Sequence, residues 1–167
     1  MYKSQRHQLG QIRSALLGSI LREISLNPKN AAEKIAHLTQ RYALFDVSSK
    51  SPSEYRALRW GFEMFRKDES ESDRNVPFHQ VRDDRSYWDN VVADWDESIR
   101  TRTTTGFVVT ARIIDRIYSY ERICFPIIHS HRVDTLLVLS DIIKVVPAEP
   151  VKCALAASRD FPPNRMS

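Results

Sequence analysis

The chain predicts an α+β protein built on an antiparallel sheet, and three observations carry that reading. Residues 105–146 hold three consecutive runs rich in β-branched and aromatic residues, joined by short polar connections. The last of these runs is apolar on both faces, with Val133, Leu137, Leu139 and Ile143 on one side and Leu136, Val138 and Ile142 on the other. Such a strand needs a cover on each side. Two segments with helical spacing of apolar residues, one near the N-terminus and one just before the meander, are available to provide it.

Leu9, Ile12, Leu16, Ile20 and Ile24 recur at three- and four-residue intervals and predict an amphipathic helix over about Leu9 to Leu26. Asn27-Pro28 ends it, because proline has no amide to continue the ladder. Asn30-Ala31-Ala32-Glu33 has the form of a capping box and predicts a second, short helix with Ala32, Ile35 and Leu38 inward. Tyr42–Ser48 reads as a strand, with Tyr42, Leu44 and Asp46 on one face and Ala43, Phe45 and Val47 on the other. Ser49-Lys50-Ser51-Pro52-Ser53 is a turn cluster. Glu54–Trp60 fits a partner strand ending at Gly61, and equally a helix with Tyr55, Leu58 and Phe62 on one side. Residues 67–75 carry both signs of charge and read as a loop.

From Asp84 a long helix is expected, with Trp88, Val91, Val92, Trp95 and Ile99 on its apolar face and Asp89, Asp94, Asp96 and Glu97 on its polar one. Thr103-Thr104-Thr105-Gly106 closes it. Phe107–Ile114, Tyr118–Ile128 and Val133–Ile143 then form the meander, with Asp115-Arg116-Ile117 and His129-Ser130-His131-Arg132 as connections. Residues 147–167 concentrate proline and read as a disordered tail, so the expected organisation is a helical extension over 1–41, a domain over 42–146 and that tail.

Composition narrows function by exclusion. The 167 residues include 25 basic and 21 acidic side chains, a net charge of +4 spread along the chain. No basic stripe of the kind that tracks phosphates stands out, so a nucleic-acid role is not expected. Two cysteines, Cys124 and Cys153, lack metal-ligand or disulfide spacing and suit a reducing, cytoplasmic setting. The apolar piece Ala15–Leu21 is too short to cross a bilayer and is bracketed by Arg13 and Arg22, so no membrane association is expected. No phosphate-binding loop, dinucleotide fingerprint or nucleophile elbow appears among only four glycines.

Taken together, Leu44-Phe45-Asp46-Val47, Glu54-Tyr55-Arg56, Gly61, Thr105-Gly106, Tyr120-Glu121-Arg122-Ile123-Cys124-Phe125-Pro126-Ile127 and Arg132-Val133-Asp134-Thr135-Leu136-Leu137 resemble a PAS domain, specifically the short stand-alone PAS family common in alphaproteobacteria. The likeness spans residues 42–143. One departure is plain: the family carries more glycines after its second strand, whereas Phe62–Asp83 has none. The resemblance implies a five-stranded antiparallel sheet of order 2-1-5-4-3 with helices on its inner face, preceded by an N-terminal amphipathic helix. It implies a bacterial sensory or regulatory module in signal transduction, a protein partner, and a ligand layer between the tryptophan-bearing helix and the sheet. Phe78, Trp88, Val92, Tyr120, Arg122 and Cys124 are the expected lining. The helix carrying Leu9, Ile12, Leu16, Ile20 and Ile24 is read either as a cover of the outer sheet face or as a homodimer contact.

No cofactor, metal or catalytic residue is assigned. His129-Ser130-His131 reads as a polar hairpin tip rather than half a metal site, and His79 as a surface residue rather than a haem ligand. Neither cysteine sits in the Asn-Cys-Arg-Phe-Leu context of a flavin photosensor. Arg122, inside an apolar strand, requires an anion; Asp46, Asp134 and an acidic ligand are the candidates. The competing reading is a cone-shaped α+β protein of the NTF2-like kind, binding or transforming a small molecule, which needs a His/Asp pair not evident here.

Overall fold

The computed structural model describes residues 1–26, 35, 41–60, 85–113 and 115–148. Within them the chain is α+β: a six-stranded antiparallel sheet with a helix on each face. The strands are β1 (Tyr2–His7), β2 (Tyr42–Asp46), β3 (Arg56–Trp60), β4 (Thr105–Ile113), β5 (Arg116–His129) and β6 (Arg132–Pro147). The helices are α1 (Ala15–Leu26) and α2 (Arg85–Thr101). The sheet order is β1-β4-β5-β6-β2-β3. Leaving out β1, this is the PAS-like order implied by the sequence.

β1 is an addition that the sequence did not announce. Tyr2-Lys3-Ser4-Gln5-Arg6-His7 is polar throughout, yet it pairs antiparallel with β4 from Tyr2↔Ala111 to His7↔Gly106. An edge strand with its outer side in water needs no apolar alternation, so periodicity could not reveal it. The N-terminal extension is therefore part of the sheet, not a purely helical appendage.

The helix expected from Leu9 begins instead at Ala15. Leu9–Gln11 is a 3-10 turn closed by extended backbone at Ile12. Ser14 supplies the cap, its Oγ accepting the Leu17 amide at 3.0 Å. Glu54–Trp60 resolves in favour of the strand: Pro52–Glu54 makes one 3-10 turn and β3 follows, paired with β2 from Ala43↔Trp60 to Asp46↔Arg56. The short helix near Asn30, the loop at 67–75 and residues 149–167 of the expected tail fall outside the described residues, apart from helical, buried Ile35. The tail expected from residue 147 starts later: Pro147 ends β6 opposite Arg116, and the Ala148 amide donates to the Asp115 carbonyl at 2.7 Å.

Two cores follow from the two-faced sheet. On one face, Leu17, Ile20 and Ile24 of α1 pack with Tyr42, Ile123, Leu137 and Leu139. On the other, Trp88, Val91 and Trp95 of α2 pack with Phe45, Val109, Tyr120, Cys124, Leu136 and Val138. Each fully buried aliphatic or aromatic side chain contributes roughly 1.5–3 kcal/mol. The expected parity of β6 holds at its centre and fails at its ends. A register shift at Ile127/Ile128 brings Val133 to the α2 face, and one at Ser119/Tyr120 leaves Ile143 unpaired and 55% exposed. Gly106 sits where a side chain has little room: a Cβ there would lie 3.3 Å from Leu9 Cδ2 and 3.4 Å from Ile12 Cδ1. No helix among the described residues is long and apolar enough to cross a membrane.

Candidate functional site

β5 is the strand from which the polar interior is built. Flanked by β4 and β6 and covered on both faces over Tyr120–Cys124, it buries those side chains, so each polar one among them must be satisfied inside. Alternation sends Tyr120, Arg122 and Cys124 toward α2, and Glu121 and Ile123 toward α1. All five are buried.

Arg122 is the centre of the α2-side layer. Its Nη2 donates to the Asp94 carboxylate on α2 and to the Tyr2 hydroxyl on β1. Asp94 also accepts the Tyr2 hydroxyl at 2.6 Å and the Ser4 hydroxyl at 2.7 Å. The guanidinium carbon lies 5.8 Å from the Phe107 ring centre and 5.9 Å from that of Tyr120. The Tyr120 and Tyr87 hydroxyls share a hydrogen bond of 3.1 Å, and the Tyr87 ring meets Tyr2 edge-on at 5.4 Å. One connected ladder thus joins β1, α2 and the middle of the sheet. Beside it, Arg6 of β1 pairs with Glu97 of α2.

Burial governs the electrostatics. It raises the pKa values of the Tyr2, Tyr87 and Tyr120 hydroxyls above the usual phenol value, against an opposing pull from Arg122. For Arg122 burial favours the neutral form, but Tyr120, Tyr2, Cys124 and Asp94 outweigh it and the net shift is upward. The guanidinium stays charged. Burial pushes the Cys124 thiol up to about 12, outweighing Arg122, so at neutral pH it is protonated and a poor nucleophile. Both Asp94 oxygens are occupied by donors. The buried Nε of Arg122 has no hydrogen-bond partner among the described residues.

On the opposite face Glu121 performs a different task. Its carboxylate accepts the Arg13 amide at 2.9 and 3.0 Å and the Ser14 amide at 2.7 Å, just ahead of α1. A carboxylate there takes up donors the helix leaves orphaned and meets the positive end of its dipole. Ser14 in turn donates to Asp141 at 2.8 Å, and Asp141 pairs with Arg41 at 2.7 Å. The triplet Tyr120-Glu121-Arg122, quoted above for its likeness to a family motif, therefore fastens α2, α1 and β1 to one strand.

Of the expected lining, Trp88, Tyr120, Arg122 and Cys124 are buried in the layer between α2 and the sheet and Val92 packs against it; Phe78 lies outside the described residues. The anion facing Arg122 is none of the candidates named from sequence. Asp46 accepts the Ser48 amide at 2.9 Å in a local turn, and Asp134 holds His129 Nδ1 at 2.9 Å across the hairpin. The partner is Asp94, assigned by periodicity to the polar face of the helix. α2 is rotated from that assignment: Tyr87, Trp88, Val91, Asp94, Trp95 and Ser98 face inward. Asp94 lies three residues after Val91 and one before Trp95, inside the stripe, which is the signal that marks it. The hydrophobic stripe of the N-terminal segment divides: Ile20 and Ile24 are buried against the sheet, Ile12 and Leu16 pack partly buried beside them, and Leu9 is 36% exposed.

No known protein-family profile matches the chain, and no curated protein matches it. Among solved structures it is similar to that of an RNA-binding light-oxygen-voltage receptor, with 11% identity and a TM-score of 0.46. The similarity covers 86% of this chain and 38% of the receptor chain, so this chain spans well under half of that protein.

Proposed function

We propose that the chain is a regulatory module of PAS type, not an enzyme, which acts in the cytoplasm by contact with a protein partner and reads a small ligand in the layer between α2 and the sheet. The observation that carries this reading is the Tyr2–Asp94–Arg122 ladder. It links the layer where a ligand would be sensed to a terminal strand at the sheet edge, so a change in one shifts the other. The same ladder speaks against catalysis, since its carboxylate is spent on three donors and its thiol is protonated. Self-association through the N-terminal helix is the weaker form of the reading, because Ile20 and Ile24 are already used against the sheet.

The test is affinity capture of the full chain from its native cells, with the eluate divided between protein identification and extraction of retained small molecules. A stoichiometric partner, lost or strengthened when Asp94→Asn loosens the ladder, is the expected result. A monomer of 19.4 kDa with neither partner nor retained compound overturns it.

A further inference from the structure

Among the described residues β1 stands at the end of the strand order, and without it β4-β5-β6-β2-β3 is the complete five-stranded sheet implied by the sequence. Four of its six residues, Lys3, Ser4, Gln5 and Arg6, are exposed, and Tyr2 and His7 are half-buried. A strand that buries so little apolar surface opens well before the core does.

The edge that β1 covers is of the opposite kind. Thr105–Ile113 includes Phe107, Val108 and Val109, lacks proline, and pairs with β5 from Thr105↔Cys124 to Ile113↔Arg116 without a register shift. Phe107, Val109, Ala111 and Ile113 are buried in the α2-side core, which ties β4 down independently of β1. A regular edge rich in β-branched residues is a template for another strand.

What keeps β1 on this edge is its α2-facing row. Parity puts Tyr2, Ser4 and Arg6 on one side. The Tyr2 and Ser4 hydroxyls donate to Asp94 at 2.6 and 2.7 Å, and Arg6 pairs with Glu97, about one turn further along α2. The slot beside β4 is therefore defined chemically. It offers backbone pairing on one side, and on the other two carboxylates that take a hydroxyl, a hydroxyl and a cation from alternate residues of the occupant.

We infer that β1 is a releasable strap, which occupies the β4 edge in cis and yields it to an extended segment of a protein partner carrying the same alternating row of hydroxyl and cationic donors. The inference rests on the regulatory reading above and names the strand that moves and the chemistry of what replaces it. Release leaves Asp94 on Arg122 but without two of its donors, so the vacated slot selects a hydroxyl-bearing segment. A second copy offers the identical strand without the short tether through Leu9–Gln11, and so does not outcompete it.

Two measurements on the full chain provide the test. In hydrogen exchange of the unmodified chain, amides of Tyr2–His7 should exchange at least about a hundredfold faster than those of Tyr120–Cys124, at a rate that urea below the unfolding range barely changes. The second is fluorescence anisotropy of a labelled peptide of residues 1–8. Tyr2→Phe/Ser4→Ala removes the two hydroxyls and leaves Asp94 on Arg122. That variant should bind the peptide at least about tenfold more tightly than the unmodified chain, because apparent affinity scales with the fraction of chains whose slot is open. A peptide carrying Tyr2→Phe, Ser4→Ala and Arg6→Glu should bind the same variant at least about tenfold more weakly. Four results overturn the inference: β1 amides that exchange together with those of β5, equal peptide affinity for the two chains, no discrimination between the peptides, or a dimer of the unmodified chain that the peptide dissociates, which makes the occupant a second copy. A partner captured from native cells in any of those cases removes the strap and leaves the regulatory reading standing.

Discussion

Removing Asp94 is the most direct way to ask whether the buried ladder holds β1 and α2 to the sheet. In Asp94→Ala, Arg122 keeps its charge at 3% side-chain exposure with its carboxylate gone, and the Tyr2 and Ser4 hydroxyls lose their acceptor. Truncating one partner of a buried, hydrogen-bonded pair costs about 3–5 kcal/mol, most of it the uncompensated charge left behind. For a chain of this size that lowers the midpoint of thermal unfolding by roughly 10 °C. Urea unfolding followed by circular dichroism supplies the free energy, and hydrogen exchange of Tyr2–His7 reports whether β1 has come away from β4. Asp94→Leu combined with Arg122→Met removes both charges at once. That double variant is expected to be more stable than Asp94→Ala by about 2 kcal/mol, since an apolar pair of similar volume replaces the ion pair without burying a lone charge. A loss under about 1 kcal/mol in Asp94→Ala, or a double variant as unstable as the sum of its parts, would refute the reasoning.

Glu121→Gln keeps the shape but weakens a charge-assisted acceptor at the start of α1, and should cost about 1–2 kcal/mol with exchange quickened in α1 and unchanged in α2. Arg102 closes α2 with φ of 55°, a left-handed conformation that favours glycine, so Arg102→Gly should raise stability by about 1 kcal/mol in the same urea assay. Cys124 should resist alkylation at pH 8 until the protein unfolds, its thiol being buried and raised to about 12. Because its folded pKa lies above the ordinary value of 9.0, its contribution to stability is intact below pH 9 and is lost as pH rises toward 12, at about 1.4 kcal/mol per pH unit. The buried tyrosines act in the same direction above pH 10. A free energy of unfolding that is flat from pH 9 to 11 would contradict both assignments.

The unbroken apolar run Leu136–Leu139 and the helical spacing of Trp88, Val91 and Trp95 are local patterns, and they determine on their own that the sheet is covered on both faces at this strand. Local too is the choice of Tyr120, Arg122 and Cys124 as inward residues, since they share the parity of a buried strand. Tertiary structure decided what those patterns cannot express. The pairing of Arg122 with Asp94 spans 28 residues and that of Tyr2 with Asp94 spans 92, so no window of sequence contains either contact. β1 is polar and exists only because the edge of β4 accepts it. The start of α1 at Ala15, rather than Leu9, depends on a carboxylate more than a hundred residues away at Glu121. Side-chain periodicity records which face of an element meets the core; which charge meets which, and where a polar strand finds its edge, depends on elements that only the folded chain brings together.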